Sequence, residues 1–138
     1  MIFFTDENIP VKASYILGNF ESKYQVRAYL DYFKPGTPDT EWMPKVASWD
    51  VNETTTVISG DGRILRNEVE KQILKECNLM FVYLSSGWTH VKWSDYAWKI
   101  VKAWPDIVRN VEQARFPMVF QVSVGNLQIQ TIGRIRNL

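Results

Sequence analysis

Short apolar runs alternate with amphipathic helical patterns along most of this chain, and this alternation constrains its fold more than any other feature. The apolar runs are Ile2–Thr5, Thr54–Ser59 and Leu79–Leu84. Between and after them, apolar residues recur at helical spacing, as in Arg63–Cys77 and from Trp93 to Val111. A run that is apolar throughout is typical of a strand buried on both faces. The pattern therefore predicts an α/β fold, a three-layer sandwich with a mainly parallel central sheet.

Less regular segments complete this alternation. A helix is predicted from about Pro10 to Phe20, and a second strand within Tyr24–Phe33. A short helix is expected to begin at Asp39, whose side chain suits the N-cap position. The apolar stripe that starts at Trp93 continues across Pro105, which predicts a kink or a restart of that helix.

The end of the chain changes to a period of two residues. Phe116–Val124 and Leu127–Ile132 both alternate, and Gly125-Asn126 between them resembles a two-residue hairpin turn. An antiparallel hairpin at about residues 116–133 is therefore expected at one edge of the sheet, after a core of about residues 1–115. A length of 138 residues favours a single domain spanning 1–138.

Composition indicates the cellular compartment in which the protein is expected. No run approaches the roughly 18 apolar residues of a membrane span, and the first residues lack the basic stretch and apolar core of a signal peptide. Cys77, the single cysteine, has no disulfide or metal-ligand partner, which agrees with a reducing compartment. A cytoplasmic protein with no membrane partner is expected.

Charge is unevenly distributed although the net charge is only +1. Residues 1–61 hold 5 Lys+Arg and 9 Asp+Glu, a balance of −4, whereas residues 62–138 hold 11 and 6, a balance of +5. An acidic pocket with basic surroundings suits a metal-dependent enzyme that acts on a phosphate backbone. Two halves that neutralise each other within one fold explain the distribution equally well.

Three acids stand at element boundaries. Asp6 and Asp61 follow predicted strands, and Asp39 opens a predicted helix. If the two strands are parallel neighbours, the three carboxylates share one crevice at the sheet edge. Like charges this close favour a bound cation, and oxygen ligands without His or Cys suit Mg²⁺ or Mn²⁺ rather than Zn²⁺.

Three ordered blocks resemble the PIN-like domains of the VapC-related toxin group. They are Phe3–Pro10, Pro35–Trp42 and Val57–Asp61, and Ala103-Trp104-Pro105 and Phe116-Pro117 extend the likeness over nearly the whole chain. The resemblance implies a metal-dependent endoribonuclease that cleaves RNA, commonly the toxin component of a toxin–antitoxin pair. It therefore also implies a small antitoxin protein as partner.

The resemblance also implies roles for individual residues. Asp6, Asp39 and Asp61 match the acids that hold the metal and serve catalysis in the family. Ser59-Gly60-Asp61 replaces the usual Thr-Arg-Asp segment, so a hydroxyl is kept and an arginine is lost. The fourth acid of the family has no clear counterpart, and Glu41 or Glu7 is the candidate substitute.

Basic and aromatic side chains supply further candidates. Arg63 and Arg66 follow Asp61 closely and are candidates for contact with substrate phosphates. Trp88 stands in a Gly-rich loop and Trp98 lies off the apolar stripe of the last helix, which predicts an exposed or partner-facing role for both. Self-association as a homodimer through this helix is the corresponding expectation.

Two other functions remain open at this point. A phosphoacceptor receiver-like signalling module also carries acids after its strands, but it needs a lysine at a late strand end, and Leu79–Ser86 has none. A PIN-like protein that binds RNA or a partner without catalysis is favoured by the incomplete acid set. A Ser-His-Asp relay would need His90, the single histidine, and no nucleophile-elbow pattern accompanies it.

Overall fold

The computed structural model describes residues 1–138, which form six strands and four α-helices. The strands are β1 (Ile2–Thr5), β2 (Gln25–Ala28), β3 (Thr56–Ser59), β4 (Met80–Leu84), β5 (Met118–Val122) and β6 (Ile129–Arg134). The helices are α1 (Val11–Phe20), α2 (Asp39–Ala47), α3 (Glu68–Cys77) and α4 (Trp93–Gln113).

All six strands belong to one sheet with the order β2-β1-β3-β4-β5-β6. The first five strands of the chain pair in parallel, and β6 alone is antiparallel, against β5 at the sheet edge. This architecture confirms the predicted α/β fold with a mainly parallel sheet and a C-terminal antiparallel strand pair.

Helices cover both faces of the sheet because consecutive strand residues point to opposite sides. Phe3 packs in a core cluster with Leu17 of α1 and Ile100 of α4. Its neighbour Phe4 packs in a separate buried cluster with Trp42 of α2 and Leu74 of α3. The sheet is therefore the middle layer of three, as the sequence predicted.

The chain leaves β1 toward β2 on one side and later returns as β3 on the other side. In parallel sheets, such a reversal opens a crevice at the carboxyl ends of the two strands involved. Thr5 is in register with Ile58, so the residues that follow β1 and β3 leave the sheet side by side. The topology thus positions a site at the boundary of β1 and β3.

One helical prediction needs correction, and another is narrowed to one of its two alternatives. The pattern at 63–77 is a 3-10 turn at Gly62–Leu65 followed by the separate helix α3. Asn67 starts α3, since its Oδ1 accepts the N–H groups of Val69 and Glu70 at 3.0 and 3.2 Å. Helix α4 continues through Pro105 over 21 residues, so of the kink or restart predicted there the restart does not occur.

The predicted two-residue turn at Gly125-Asn126 is also wrong. Residues 123–128 connect β5 to β6, and the N–H of Leu127 donates to the carbonyl of Ser123 at 3.0 Å. Leu127, rather than Gly125, adopts a left-handed conformation, with φ 57°. The hydrogen bond between Leu127 and Ser123, rather than a glycine, determines how the chain reverses direction between β5 and β6.

None of the helices combines the length and the apolar character that crossing a bilayer requires.

Candidate functional site

The carboxyl ends of β1 and β3 open onto a cleft of about 220 Å³. Four acids, an amide and a guanidinium group line most of it: Asp6, Glu7, Asn8, Asp39, Asp61 and Arg63. We call it the carboxylate cleft. The structure therefore brings the three acids predicted as metal ligands into one cleft, although their roles stay a prediction.

Asp6 is the most buried of these acids, with 5% of its surface exposed. Its backbone N–H donates to the carbonyl of Ile58 at 3.0 Å, and its Oδ1 accepts the N–H of Asn8 at 3.3 Å. Burial raises the pKa of Asp6 to about 8, and the charges of Asp61 and Asp39 act in the same direction. At neutral pH this carboxyl group is therefore mostly protonated.

Asp61 has the opposite electrostatic character. Its Oδ1 accepts the backbone N–H and the Nε–H of Arg63, both at 3.0 Å, and its Oδ2 accepts Nη2–H at 3.0 Å. The Arg63 guanidinium holds the pKa of this carboxyl below its usual range. Ser59 Oγ accepts the Asp61 N–H at 2.9 Å, which shapes the turn after β3. Asp61 is therefore ionised and already paired.

Asp39 is the first residue of α2 rather than its N-cap, which is Pro38. Its Oδ1 accepts the Nε1–H of Trp42 at 2.6 Å, so its carboxylate binds an indole one turn ahead instead of the helix backbone. The predicted N-cap role is therefore wrong, while the predicted position beside Asp6 and Asp61 is correct.

The two candidate substitutes for a fourth acid differ in position. Glu7 lines the carboxylate cleft, but both of its oxygens accept the backbone N–H of Gly36, at 3.1 and 3.0 Å. Glu41 is exposed in the first turn of α2 and does not line the cleft. Neither side chain is buried beside Asp6.

Glu70 of α3, which the sequence analysis did not single out, lies against this group of acids. Burial raises its pKa, and the neighbouring Asp39 carboxyl raises it further. Its Oε2 is buried without a hydrogen-bond partner. One signal was present in the sequence, because Glu70 precedes Ile73 and Leu74 by three and four residues and so shares the apolar face of the helix.

A protein-family model described as a PIN like domain matches residues 1–86. The chain belongs to the PIN-like domain family. The matched segment runs from β1 past the end of β4 and contains Asp6, Asp39, Asp61 and Glu70. No curated protein and no solved structure matches the chain. The narrower resemblance to the VapC-related group stays a prediction.

PIN-like domains are typically nucleases that use divalent metals, so the fit of this cleft to a cation matters. No three His, Cys, Asp or Glu side chains of this PIN-like domain stand together as a metal-binding group. The donor chemistry nevertheless suits a hard cation, since carboxylate oxygens are its preferred ligands. The raised pKa of Asp6 and the unpartnered Oε2 of Glu70 mark where positive charge is lacking. The residue types that line the cleft are therefore those that bind a divalent cation.

The remaining predicted residues fall outside the cleft. Arg66 is exposed, and its charge contributes to lowering the pKa of Asp61 without a hydrogen bond to it. Trp98 is 51% exposed, as predicted. Trp88 is 2% exposed, and its Nε1–H donates to the carbonyl of Val122 at 3.0 Å. The expectation of an exposed Trp88 is therefore wrong, because this indole packs in the core beside Tyr96.

Proposed function

We propose that this PIN-like protein is an endoribonuclease that depends on Mg²⁺ or Mn²⁺. One observation carries the proposal: Asp6, Asp39 and Asp61 line a single cleft at the carboxyl ends of β1 and β3. Membership of a family of nuclease-type domains supports hydrolysis of a phosphodiester bond. The preference for RNA rests on the resemblance of the three sequence blocks.

Asp6, Asp39 and Asp61 would hold the cation, and Glu70 is the candidate fourth acid in place of Glu7 or Glu41. A divalent cation bound there supplies Lewis acidity toward the phosphodiester and favours ionisation of a water. Asp6 must first lose its proton. The Asn8 N–H bond to Oδ1 and the nearby Ser59 side chain both lower the Asp6 pKa and so favour loss of this proton.

Arg63 is the candidate for holding the substrate phosphate. Its guanidinium fork matches two oxygens of a phosphate as well as it matches the two oxygens of Asp61. The side chain is 79% exposed, so it can leave Asp61 at little cost. Exchange of Arg63 from carboxylate to phosphate would free Asp61 at the moment the substrate arrives.

Cleavage of labelled RNA tests the proposal directly. Structured and unstructured RNAs are incubated with the purified protein in Mn²⁺, in Mg²⁺ and in chelator. We expect internal cleavage that requires the cation and that falls at least about 100-fold in Asp6→Asn, because a ligand of the cation is lost.

The matched control is Asp106→Asn, purified identically. Asp106 is an exposed acid of α4 whose carboxylate bonds only Arg109, and it does not line the cleft. We expect full activity from it, which also excludes a contaminating ribonuclease. Absence of cleavage, cleavage in chelator, or equal activity of Asp6→Asn would each refute the proposal.

A second candidate is a PIN-like protein that binds RNA or a partner without cutting. The pairing of both Asp61 oxygens with Arg63 and of Asp39 with Trp42 favours it, because these contacts occupy carboxylate oxygens that a cation needs. RNA binding without turnover in either cation would support this candidate.

We propose further that the chain is the toxin component of a toxin–antitoxin pair, and only the sequence resemblance supports this. Expression in bacteria should then arrest growth, and Asp6→Asn should relieve the arrest. Co-expression of a small protein encoded beside this chain should also relieve the growth arrest, and the two proteins should purify together as a complex. Normal growth during expression of the soluble wild-type protein would contradict the toxin role.

A further inference from the structure

A groove of about 480 Å³ lies beside the carboxylate cleft at the same edge of the sheet. Its walls come from the loop after β1, the start of α1, the loop after β3 and the segment that leads into α4. They include Asn8, Lys12, Gly60, Thr89, Trp93 and Tyr96. We call it the aromatic groove. Its volume lies within the range of roughly 300–1,000 Å³ that is common for sites that bind small organic groups.

Flat rings held in fixed positions form one side of this groove. Trp93 and Tyr96 stack with their ring centroids 6.0 Å apart and their planes 23° from parallel. Trp88 supports Tyr96 edge-on at 5.1 Å, and its own hydrogen bond to Val122 holds the indole in place. Trp93 itself stays 37% exposed. A rigid aromatic surface with an open edge suits a planar ligand that stacks.

The charge of the aromatic groove is opposite in sign to that of the carboxylate cleft. Lys12 is the one charged residue that lines it, and the Lys12 ammonium lies 5.8 Å from the Trp93 ring centroid. No acid lines the groove, whereas four acids line the carboxylate cleft. A planar group attached to an anion is therefore complementary to this groove.

Asn8 separates the two sites and belongs to both linings. Its Oδ1 accepts the N–H of Gly60, which also lines the aromatic groove, at 2.7 Å. A polymer that places one phosphate at the carboxylate cleft therefore has its next group beside the rings. Bases in a duplex are stacked on each other and are not available for such contact, whereas unpaired bases are.

We propose that the aromatic groove binds one unpaired nucleobase of single-stranded RNA, next to the phosphate that enters the carboxylate cleft. Trp93 stacks on the base and Lys12 binds the adjoining phosphate. This inference rests on the proposed function and deepens it, since it assigns a base-binding groove beside the cleft and names Trp93 as a residue that determines binding.

Binding in chelator tests the groove without turnover. A fluorescently labelled single-stranded oligoribonucleotide of mixed sequence is titrated with the full-length protein, and anisotropy gives the Kd. We expect Trp93→Leu to weaken binding about tenfold, as loss of one stacked base does. Lys12→Gln should weaken it less and lower the slope of log Kd against log salt concentration by about one. The same RNA in a duplex should bind at least about tenfold more weakly, because its bases are paired.

Trp98→Leu is the matched control. Trp98 is an exposed indole of the same helix, more exposed than Trp93 and with lysines over its ring, but it does not line the groove. We expect unchanged RNA affinity from it. Far-ultraviolet circular dichroism and thermal midpoints establish that both leucine variants fold, and Lys12→Gln tests the groove without removing a ring.

The proposal is overturned if Trp93→Leu and Lys12→Gln bind RNA like the wild type, if Trp98→Leu weakens binding as much, or if duplex and single strand bind equally. The experiments distinguish an error in the proposed base-binding groove from an error in the proposed nuclease activity. Cleavage that needs Asp6 but not Trp93 refutes only the groove. RNA binding that needs Trp93, with no cleavage in Mn²⁺, refutes only the nuclease and leaves the groove supported.

Discussion

Asn8 Oδ1 accepts a hydrogen bond from the backbone N–H of Gly60 at 2.7 Å and so ties the loop after β1 to the loop after β3. These two loops carry Asp6 and Asp61. A Cβ on residue 60 would meet Asn8 Oδ1 at 3.3 Å, so the close approach also favours glycine there. This side-chain amide therefore helps to fix the relative position of the two acids, together with the Asp6 N–H bond to the Ile58 carbonyl.

Replacing Asn8 by Ala should disturb the site more than the fold. Loss of this bond is expected to lower the free energy of unfolding by about 1 kcal/mol, measured by urea titration. Activity in Mn²⁺ should fall by a larger factor than this destabilisation explains, since the two acid-bearing loops separate. Asn19→Ala is the control, because Asn19 binds only the backbone of its own helix. Equal activity of the two variants would contradict this role of Asn8.

Stability should depend on pH through Asp6. Its pKa rises from an ordinary value of 3.8 to about 8 on folding, so between these values the folded state holds a proton that the unfolded chain has lost. The contribution of this carboxyl to stability is therefore lost as pH rises, by at most about 1.4 kcal/mol per pH unit.

Asp6→Asn should remove this dependence and stabilise the protein increasingly from pH 5 to pH 8. Urea unfolding at each pH measures the difference between the variant and the wild type. Asp106→Asn, which replaces an exposed acid, should show a constant difference. Parallel curves for Asp6→Asn and the wild type would mean that the Asp6 pKa is not raised.

Arg63 is expected to compete with a cation for Asp61. Arg63→Ala removes both guanidinium bonds to Asp61, leaves only the backbone N–H bond to Oδ1, and lets the Asp61 pKa rise toward the ordinary range. Affinity for Mn²⁺, measured by calorimetry, should increase several-fold, while RNA affinity should fall with a salt dependence reduced by about one phosphate contact.

The control for this prediction is Arg66→Ala, which removes a nearby charge that forms no hydrogen bond with Asp61. It should change Mn²⁺ affinity less than Arg63→Ala does. Global stability should be nearly unchanged in both variants, because exposed ion pairs contribute little. Weaker Mn²⁺ binding in Arg63→Ala would refute the competition.

Glu70 should support the cation site through its contact with Asp39. Glu70→Gln keeps the size of the side chain but removes its charge, so the Mn²⁺ concentration for half-maximal cleavage should rise about tenfold. Glu68→Gln is the control in the same turn of α3, because Glu68 pairs only with Lys71 at the surface. A similar Mn²⁺ requirement in both variants would refute a role of Glu70 in cation binding.

Local patterns were sufficient to predict most of the fold. Buried strands such as β4 are continuous apolar runs, and such runs can be recognised without knowing their neighbours. The position of Asp6 and Asp61 at the edge of the sheet was predictable for the same reason, since each directly follows a strand. The sequence predicted the start of α3 and the turn at residues 123–128 wrongly. Both depend on hydrogen bonds made by Asn67 and Ser123, and the spacing of apolar residues carries no information about such bonds.

The amino-acid sequence alone determined the order of strands and helices, the three-layer architecture and the placement of Asp6, Asp39 and Asp61 at element boundaries. Only the tertiary structure decided which groups meet there. The pairing of Arg63 with Asp61, the approach of Glu70 to Asp39 and the burial of Trp88 each depend on packing between elements. Burial and neighbouring charge set the protonation of a carboxyl group, and both arise only after the chain has folded.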